Sequence, residues 1–411
     1  MDSVERGVDS VERRAELLPE PEPEEHRYDV ISVDDHVTEP PNVFTGRIEA
    51  RYADRAPRLS QDESGGLVWA YEDGEMHDAG FGAVAGRPQS AWRHEPIRYE
   101  EIRKGCWDIH ARVRDMDTDG VTASVTFPSM CGFAGRTFAA SKDPGLGLAC
   151  VRAYNRWHLE EWAATYPGRI IPMQLAWLPD PGIAAREVRQ NAALGFRAVT
   201  FPDIPQRLGF PAIDDPAWEP FLRACEETET VICLHTGGAG YILNTRENAP
   251  LQLQTSLFPG GAFVAAMEWI WSFVPVRFPN IKIALSEGGI GWVPMALDRL
   301  DYVMDHSGGS PVDTPWPEPD LTPADVLRRN FWFCMLDDPS TLPARDRIGV
   351  DHIMVETDYP HADSTWPHTQ SLLARRLGPL GAAVAEQIAY GNAAALFRYP
   401  SLAAELSRGG R

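Results

Sequence analysis

The sequence predicts an α/β chain closed as a (β/α)8 TIM barrel, with a subdomain inserted between strands 1 and 2. Three observations predict it. Eight short apolar runs recur along residues 28–400. Helix-period segments separate most of them, which argues for strand–helix alternation. The runs are continuously apolar rather than alternating, as parallel strands covered on both faces require. Eight such units in one chain fit a closed barrel.

In order, the runs are DVISVDDH (29–36), VTASVTFP (121–128), RIIPMQLAWL (169–178), FRAVTFP (196–202), TVICLHTG (230–237), KIALSEGG (282–289), NFWFCML (330–336) and HIMVETDYP (352–360). Helical periodicity marks 146–166, 183–193, 218–227, 262–278 and 292–305, and 382–397 reads as a closing helix. Two stretches break the spacing. Residues 42–110 read as an inserted subdomain over the barrel mouth, with Asp73-Gly74 as a hairpin turn signal. Residues 238–261 read as a long loop, of the kind that forms lids. Before the barrel, residues 1–27 carry nine acids and four arginines, repeat DSVER and alternate Pro with Glu. That composition predicts a disordered, solvated acidic tail.

Lysine and arginine total 38 against 59 aspartates and glutamates, a formal net charge of −21. Such a chain is expected to avoid nucleic acid and anionic membrane. No run of eighteen apolar residues is present to span a bilayer. The N-terminus lacks the apolar stretch of a secretory signal. Six scattered cysteines form no C-x-x-C pair, so they read as small core residues of a reducing cytoplasm.

Active sites of such barrels lie where the strands end, and the polar residues gather there. Run one ends Asp34-Asp35-His36, run five His235-Thr236-Gly237, run six Ser286-Glu287-Gly288-Gly289, and run eight Glu356-Thr357-Asp358-Tyr359-Pro360-His361. By strict alternation Ser32, Asp34 and His36 share one face of the first strand, while Ile31, Val33 and Asp35 share the other. Strands one and eight are neighbours in a closed barrel, so Asp34, His36 and Asp358 can meet, with His235 approaching from across it. Two imidazoles and two carboxylates suit one divalent metal ion, zinc first, with manganese or iron as alternatives. Asp35 reads as a brace. Taken singly, each motif has a structural reading, as a helix cap or a hydrogen-bonded core histidine. Their joint placement on runs one, five and eight points to the metal.

With D-x-H on strand one, H-T-G on strand five, Gly-Gly closing strand six and T-D-Y-P-H on strand eight, the chain resembles the amidohydrolase superfamily. The branch it is most similar to is the amidohydrolase-2 group, which is aminocarboxymuconate-semialdehyde decarboxylase-like. ALSEGGIGWVPMALDRLD, ETDYPHADSTWPH and GNAAALF carry the likeness across about 28–400. The resemblance implies a barrel with one metal, and ligand roles for Asp34, His36, His235 and Asp358. Where the decarboxylase pattern has a histidine before the strand-six glycines, this chain has Glu287. An ion pair of Glu287 with Arg299 is the competing reading.

The resemblance favours a decarboxylase, a C–C lyase acting on a small aromatic or unsaturated carboxylic acid. Asp358, Glu287 or His361 would supply the proton. Metal-assisted hydrolysis of an amide, lactone or imide is the alternative, and a metal-free binding or assembly barrel is a third. Arg246 in the lid loop, Trp366 and Ser129 are the expected substrate contacts, and Cys131 is a possible pocket residue. A serine or cysteine nucleophile is disfavoured, because no G-x-S-x-G elbow occurs. The tryptophans of FVAAMEWIWSF (263–273) raise the possibility of a homodimer, although burial on the barrel is the simpler reading.

Overall fold

The computed structural model describes residues 17–400 except 63–65, 77–79, 93–97, 247 and 308–314. Its central sheet is parallel throughout. The strands are β1 (Ile31–Val37), β2 (Ala123–Pro128), β3 (Ile170–Ile171 and Met173–Leu175), β4 (Ala198–Thr200), β5 (Val231–His235), β6 (Ile283–Ser286), β7 (Phe331–Met335) and β8 (Ile353–Val355). Pairing runs from the first half of β3 through β2, β1, β8, β7, β6, β5 and β4 to the second half of β3. The sheet begins and ends on one strand, interrupted at Pro172, which has no N–H to give to a ladder. It is therefore a closed eight-stranded barrel.

The interior of the barrel is one apolar cluster fed by every strand. Ile31, Val33, Ala123, Val125, Phe127, Ile171, Met173, Ala198, Val231, Cys233, Ala284, Cys334 and Met354 fill it, and Ala393, Leu396 and Phe397 of the C-terminal segment cap it. Full burial of each large side chain contributes about 1.5–3 kcal/mol. A second, larger cluster lies between the strands and the surrounding helices. The main helices are α1 (Ile109–Asp119), α2 (Pro144–Trp157), α3 (Pro181–Leu194), α4 (Glu219–Thr228), α5 (Leu251–Trp271), α6 (Val293–His306), α7 (Pro323–Asn330) and α8 (Thr369–Leu377). Their starts follow local chemistry. Asp108, Asp143, Asp180 and Thr322 each accept from a first-turn N–H, and Pro144, Pro181 and Pro323 occupy the first helical position.

Three expectations need correction. Residues 238–261 are not one loop, because α5 begins at Leu251 and runs through Pro259, Gly260 and Gly261. The glycines that resemble a break serve packing: a Cβ on Gly261 would lie 2.8 Å from Thr236 Cγ2. The hairpin in the inserted segment pairs Tyr71 with Gly74, so Glu72 and Asp73 form its turn, one residue earlier than the Asp-Gly signal. Glu72 takes the left-handed conformation there, at φ 50°. The acidic tail is not solvated throughout. Residues 1–16 lie outside the described region, but 17–27 run along the barrel. Leu18 N donates to Gly86 O, Glu20 is paired with Arg103, and Glu24 accepts from Ser371 N and Oγ. The 263–273 tryptophans, by contrast, pack inward, in keeping with the simpler reading of that segment as buried on the barrel. Trp269 is fully buried with its Nε1 on Asp203 O, and Trp271 packs edge-on against Trp316.

The inserted segment forms a three-stranded antiparallel sheet of Arg58–Gln61, Leu67–Tyr71 and Gly74–Met76. Trp69 packs edge-on against Phe44, and Tyr71 against Phe138. Further along, Val84 N and Ala85 N donate to Pro360 O, two residues past Asp358. Among the described residues no helix is long and apolar enough to cross a membrane. All six cysteines are buried and unpaired.

One buried acid gives the fold a pH dependence. Asp119, at the end of α1, accepts from Thr369 N at 2.9 Å and from Thr369 Oγ1, and burial lifts its pKa to about 8. The folded chain therefore holds this proton at pH values where the unfolded chain has lost it. The stabilisation is fully present below about pH 4 and is lost as pH rises towards 8. Asp119→Asn, which keeps one acceptor, is expected to flatten that slope. Thermal melts from pH 5 to 9 should show the variant gaining stability over wild type as pH rises; parallel curves would refute the assignment.

Candidate metal centre and active site

The site starts from an irregularity in β1. Ile31 pairs with Ala123 and Ser32 with Ser124, but Asp35 pairs with Thr126, so the register slips by one residue between Ser32 and Asp35. This bulge changes which way the later residues point. Strict alternation puts Asp34 and His36 on the face opposite Ile31 and Val33. Instead, Ile31 and Val33 line the barrel interior, and past the slip Asp34 and His36 enter it as well. Ser32 and Asp35 share the outer side, where Ser32 Oγ donates to Asp35 Oδ1 at 2.9 Å.

Four strand ends then converge. His36 Nε2 lies 3.4 Å from Asp34 Oδ1, 3.3 Å from Asp358 Oδ1 and 3.2 Å from His235 Nε2. His235 Nε2 lies 3.6 Å from Asp34 Oδ2 and 3.2 Å from Glu287 Oε2. Side chains of Asp34, His36, His235 and Asp358 are fully buried, while Glu287 and His361 keep 11% and 12% of theirs exposed. Glu287 and Asp358 both sit in the left-handed region, at φ 54° and 49°. Each such non-glycine residue costs on the order of 1–3 kcal/mol, and such strain clusters at functional sites.

Backbone contacts hold these ends in place. Asp358 N donates to Asp34 O, and His36 N to Tyr359 O. Asp35 accepts from Ser32 Oγ, Ser124 Oγ, Thr357 Oγ1 and Tyr359 N, tying β1, β2 and the loop after β8 together. Arg112, itself buried, donates to His36 O and Gly105 O and covers the Tyr359 ring at 4.4 Å. His235 Nδ1 donates to Thr236 O at 2.7 Å, which leaves the Nε2 lone pair facing the cluster.

The electrostatics show what the cluster lacks. Burial, then Glu356 and Glu287, push Asp34 well above the usual carboxylate range. Burial and Asp363 do the same to Asp358, and burial and Asp363 to Glu287. Burial holds His36 well below its ordinary value and His235 down to about 3. Both oxygens of Asp34 and of Asp358 are buried without a hydrogen-bond partner, although His361 Nδ1 approaches Asp358 Oδ1 to 3.0 Å outside bonding geometry. Buried carboxylates are normally satisfied. Donors 3.2–3.6 Å apart match ligands sharing one cation at about 2.0–2.2 Å from each. The residues present fit a divalent metal: Asp34, His36 and His235 form one possible ligand group, with His36, Asp358 and His361 and then Glu287, Asp358 and Asp363 beside it.

The sequence model of the amidohydrolase family matches residues 69–399. The chain belongs to the amidohydrolase family. A 2-amino-3-carboxymuconate-6-semialdehyde decarboxylase of Dictyostelium discoideum is 23% identical over 269 residues, 64% of this chain and 69% of the relative. Among solved structures, an amidohydrolase of Mycobacterium avium subsp. paratuberculosis superposes with a TM-score of 0.70 at 22% identity, covering 90% of this chain and 99% of its own. The 5-carboxyvanillate decarboxylase of Sphingomonas paucimobilis gives 0.60 at 21%, over 90% and 99%. A dihydroxybenzoic acid decarboxylase of Polaromonas, with bound manganese and the inhibitor 2-nitroresorcinol, gives 0.58 at 19%, over 90% and 97%.

In this amidohydrolase the expected residues divide. Asp34, His36, His235, Asp358, Glu287 and His361 come together, with the His361 ring stacked 3.7 Å from that of His36. Glu287 faces His235 rather than Arg299, which lies over Tyr302. For the three expected substrate contacts, no hydrogen bond or ion pair to the cluster is found among the described residues. Arg246 is exposed, with no polar contact to the cluster among the described residues. Trp366 packs under Arg103 and donates to Asp115 O. Ser129 gives its backbone N–H to Glu39 Oε1, while its buried Oγ has no hydrogen-bond partner. Cys131 is fully buried, and burial pushes its thiol up, so it is unsuited to react. Sequence reasoning missed Phe133, whose ring lies 4.0 Å from that of His235, and the exposed loop acid Asp363. It also missed the use of Glu356, whose Oε2 accepts from Glu287 N. The signal for Glu356 was its i, i−2 spacing from Asp358.

Proposed function

We propose that this amidohydrolase is a metal-dependent decarboxylase of a small aromatic or unsaturated carboxylic acid. The observation that carries the reading is the set of partnerless buried carboxylate oxygens of Asp34 and Asp358 facing two imidazole nitrogens at the barrel mouth. The names of the related decarboxylases supply the reaction class. Asp34, His36, His235 and Asp358 would hold the metal. Zinc was the first expectation. The carboxylate-rich donor set and the manganese of the Polaromonas relative weigh towards manganese.

When bound, the cation would chelate a substrate carboxylate and its adjacent hydroxyl or enol oxygen and draw charge from them. The chain's own groups would handle the proton. Asp358, whose Oδ1 lies 3.0 Å from His361 Nδ1, would deliver a proton to the carbon bearing the carboxylate. The C–C bond then breaks, its electron pair stays on that carbon and restores the π system, and CO₂ leaves. Glu287 faces the same space beside His235 and completes the acidic wall. Residues 84–85, bonded to Pro360, would cover the mouth and limit water.

The test is CO₂ release from a panel of hydroxybenzoates and muconate-type acids, set against hydrolysis of amides and lactones. CO₂ without hydrolysis is expected, and hydrolysis without CO₂ would sink the proposal. Metal removal gives a further expected result. Chelation should abolish turnover and lower the melting temperature, because the buried carboxylates lose their countercharge. Manganese should restore both. A protein carrying no stoichiometric metal and melting unchanged with chelator would be a binding barrel.

A further inference from the structure

We propose that Arg136 is a specificity-determining residue at the active-site mouth, selecting acids that carry a second anionic group remote from the reacting carboxylate. The inference rests on the decarboxylase reading and deepens it.

The loop after β2 crosses the barrel mouth. Phe133 O accepts from Thr200 Oγ1 at the end of β4, at 2.6 Å. The Phe133 ring lies 4.0 Å from that of His235, 4.8 Å from that of His36 and 6.2 Å from that of His361. Arg136 follows three residues later. Its side chain passes between two glycines on different loops. A Cβ on Gly132 would come 2.9 Å from Arg136 Nε, and one on Gly240 would come 2.4 Å from Nη1. Both glycines are left-handed, at φ 75° and 70°. Gly240 lies five residues past His235, in tight turns where Gly238 N donates to His235 O and Gly240 N to Gly237 O. The guanidinium thus bridges the loops that follow β2 and β5, beside the aromatic wall of the cluster.

Among the described residues no carboxylate pairs with Arg136, and it is exposed. Other arginines near the mouth are engaged: Arg103 with Glu20 and Asp115, and Arg207 over the Tyr241 ring at 3.7 Å. Against a net charge of −21, which by itself repels anions, an exposed guanidinium with no carboxylate on it is a local point of attraction for one. The planar guanidinium fork matches a carboxylate in two parallel hydrogen bonds, and the glycine cradle restricts how it turns. Phe133 gives the ring or alkene of the substrate an apolar surface between the metal cluster and Arg136. The class so defined is a flat acid with a second carboxylate.

The test compares 4-hydroxyisophthalate, with two carboxylates, and salicylate, with one, on the manganese-loaded full chain and on Arg136→Gln and Arg136→Lys. Arg136→Gln is expected to raise KM for the diacid about 10–100-fold, the loss of a charge-assisted contact, with kcat within about threefold and salicylate kinetics unchanged. Arg136→Lys should recover part of the loss. Equal effects on both acids, or none on either, would overturn the assignment. If the wild-type chain releases no CO₂, the decarboxylase reading fails separately. Quenching of tryptophan fluorescence by each acid then decides the role of Arg136, through a preference for the diacid that is lost in Arg136→Gln or was never present.

Discussion

Asp358→Asn is expected to lower CO₂ release by at least about 100-fold, the contribution of a positioned general acid, while the fold survives. Asparagine has nearly the same shape, and its backbone can keep the left-handed conformation better than most residues. Asp358 N would still donate to Asp34 O. What disappears is the transferable proton and the negative charge shared with His36 at 3.3 Å. Metal content and turnover, measured on the same preparation, separate the two roles. Full metal with lost turnover would make Asp358 chiefly the proton donor. Lost metal and lost turnover together would make it chiefly a ligand. Full turnover would remove it from both.

Asp35→Ala is expected to give the largest stability loss. Its carboxylate gathers Ser32 Oγ, Ser124 Oγ, Thr357 Oγ1 and Tyr359 N, all in the buried seam between β1, β2 and the loop after β8. Removing it strands four donors where water does not reach. Breaking one side of such a buried arrangement costs about 3–5 kcal/mol, and in a chain of 411 residues melting should fall by roughly 3–6 °C. The same change loosens Thr357 and Tyr359, the neighbours of Asp358, so metal affinity should fall about 10–100-fold. Calorimetric melting and metal titration check both effects. A variant that melts with wild type would show that the network is replaceable by water.

The barrel was legible because its signals are repetitive. Eight apolar runs and the helices between them leave few alternatives, and Asp34, His36, His235 and Asp358 each end a run that the barrel brings to one rim. Asp35 was legible as a brace, though not that it gathers three strands' worth of donors. What was hidden depends on distant neighbours. Gly260 and Gly261 read as helix breakers until Thr236 is seen against them. The contacts of Trp366 with Arg103 and Asp115 were hidden as well, because the two partners lie about 250 residues away in sequence. Residues 17–27 have almost nothing apolar to bury, so composition pointed to solvent. Their order comes from ion pairs and backbone contacts, which composition does not encode.

The slip in β1 sets two reading frames on one strand. Before it, Ile31 and Val33 are read by the barrel interior as oil; after it, Asp34 and His36 are read by the same interior as donors. A one-residue deletion there would take out the extra residue of the slip and restore regular alternation: Asp35 would stay outward and His36 inward, and the interior would lose either the apolar Val33 or the donor Asp34. The foundation and the chemistry of this barrel can therefore diverge independently, since substitutions on either side of the slip are judged by different neighbours.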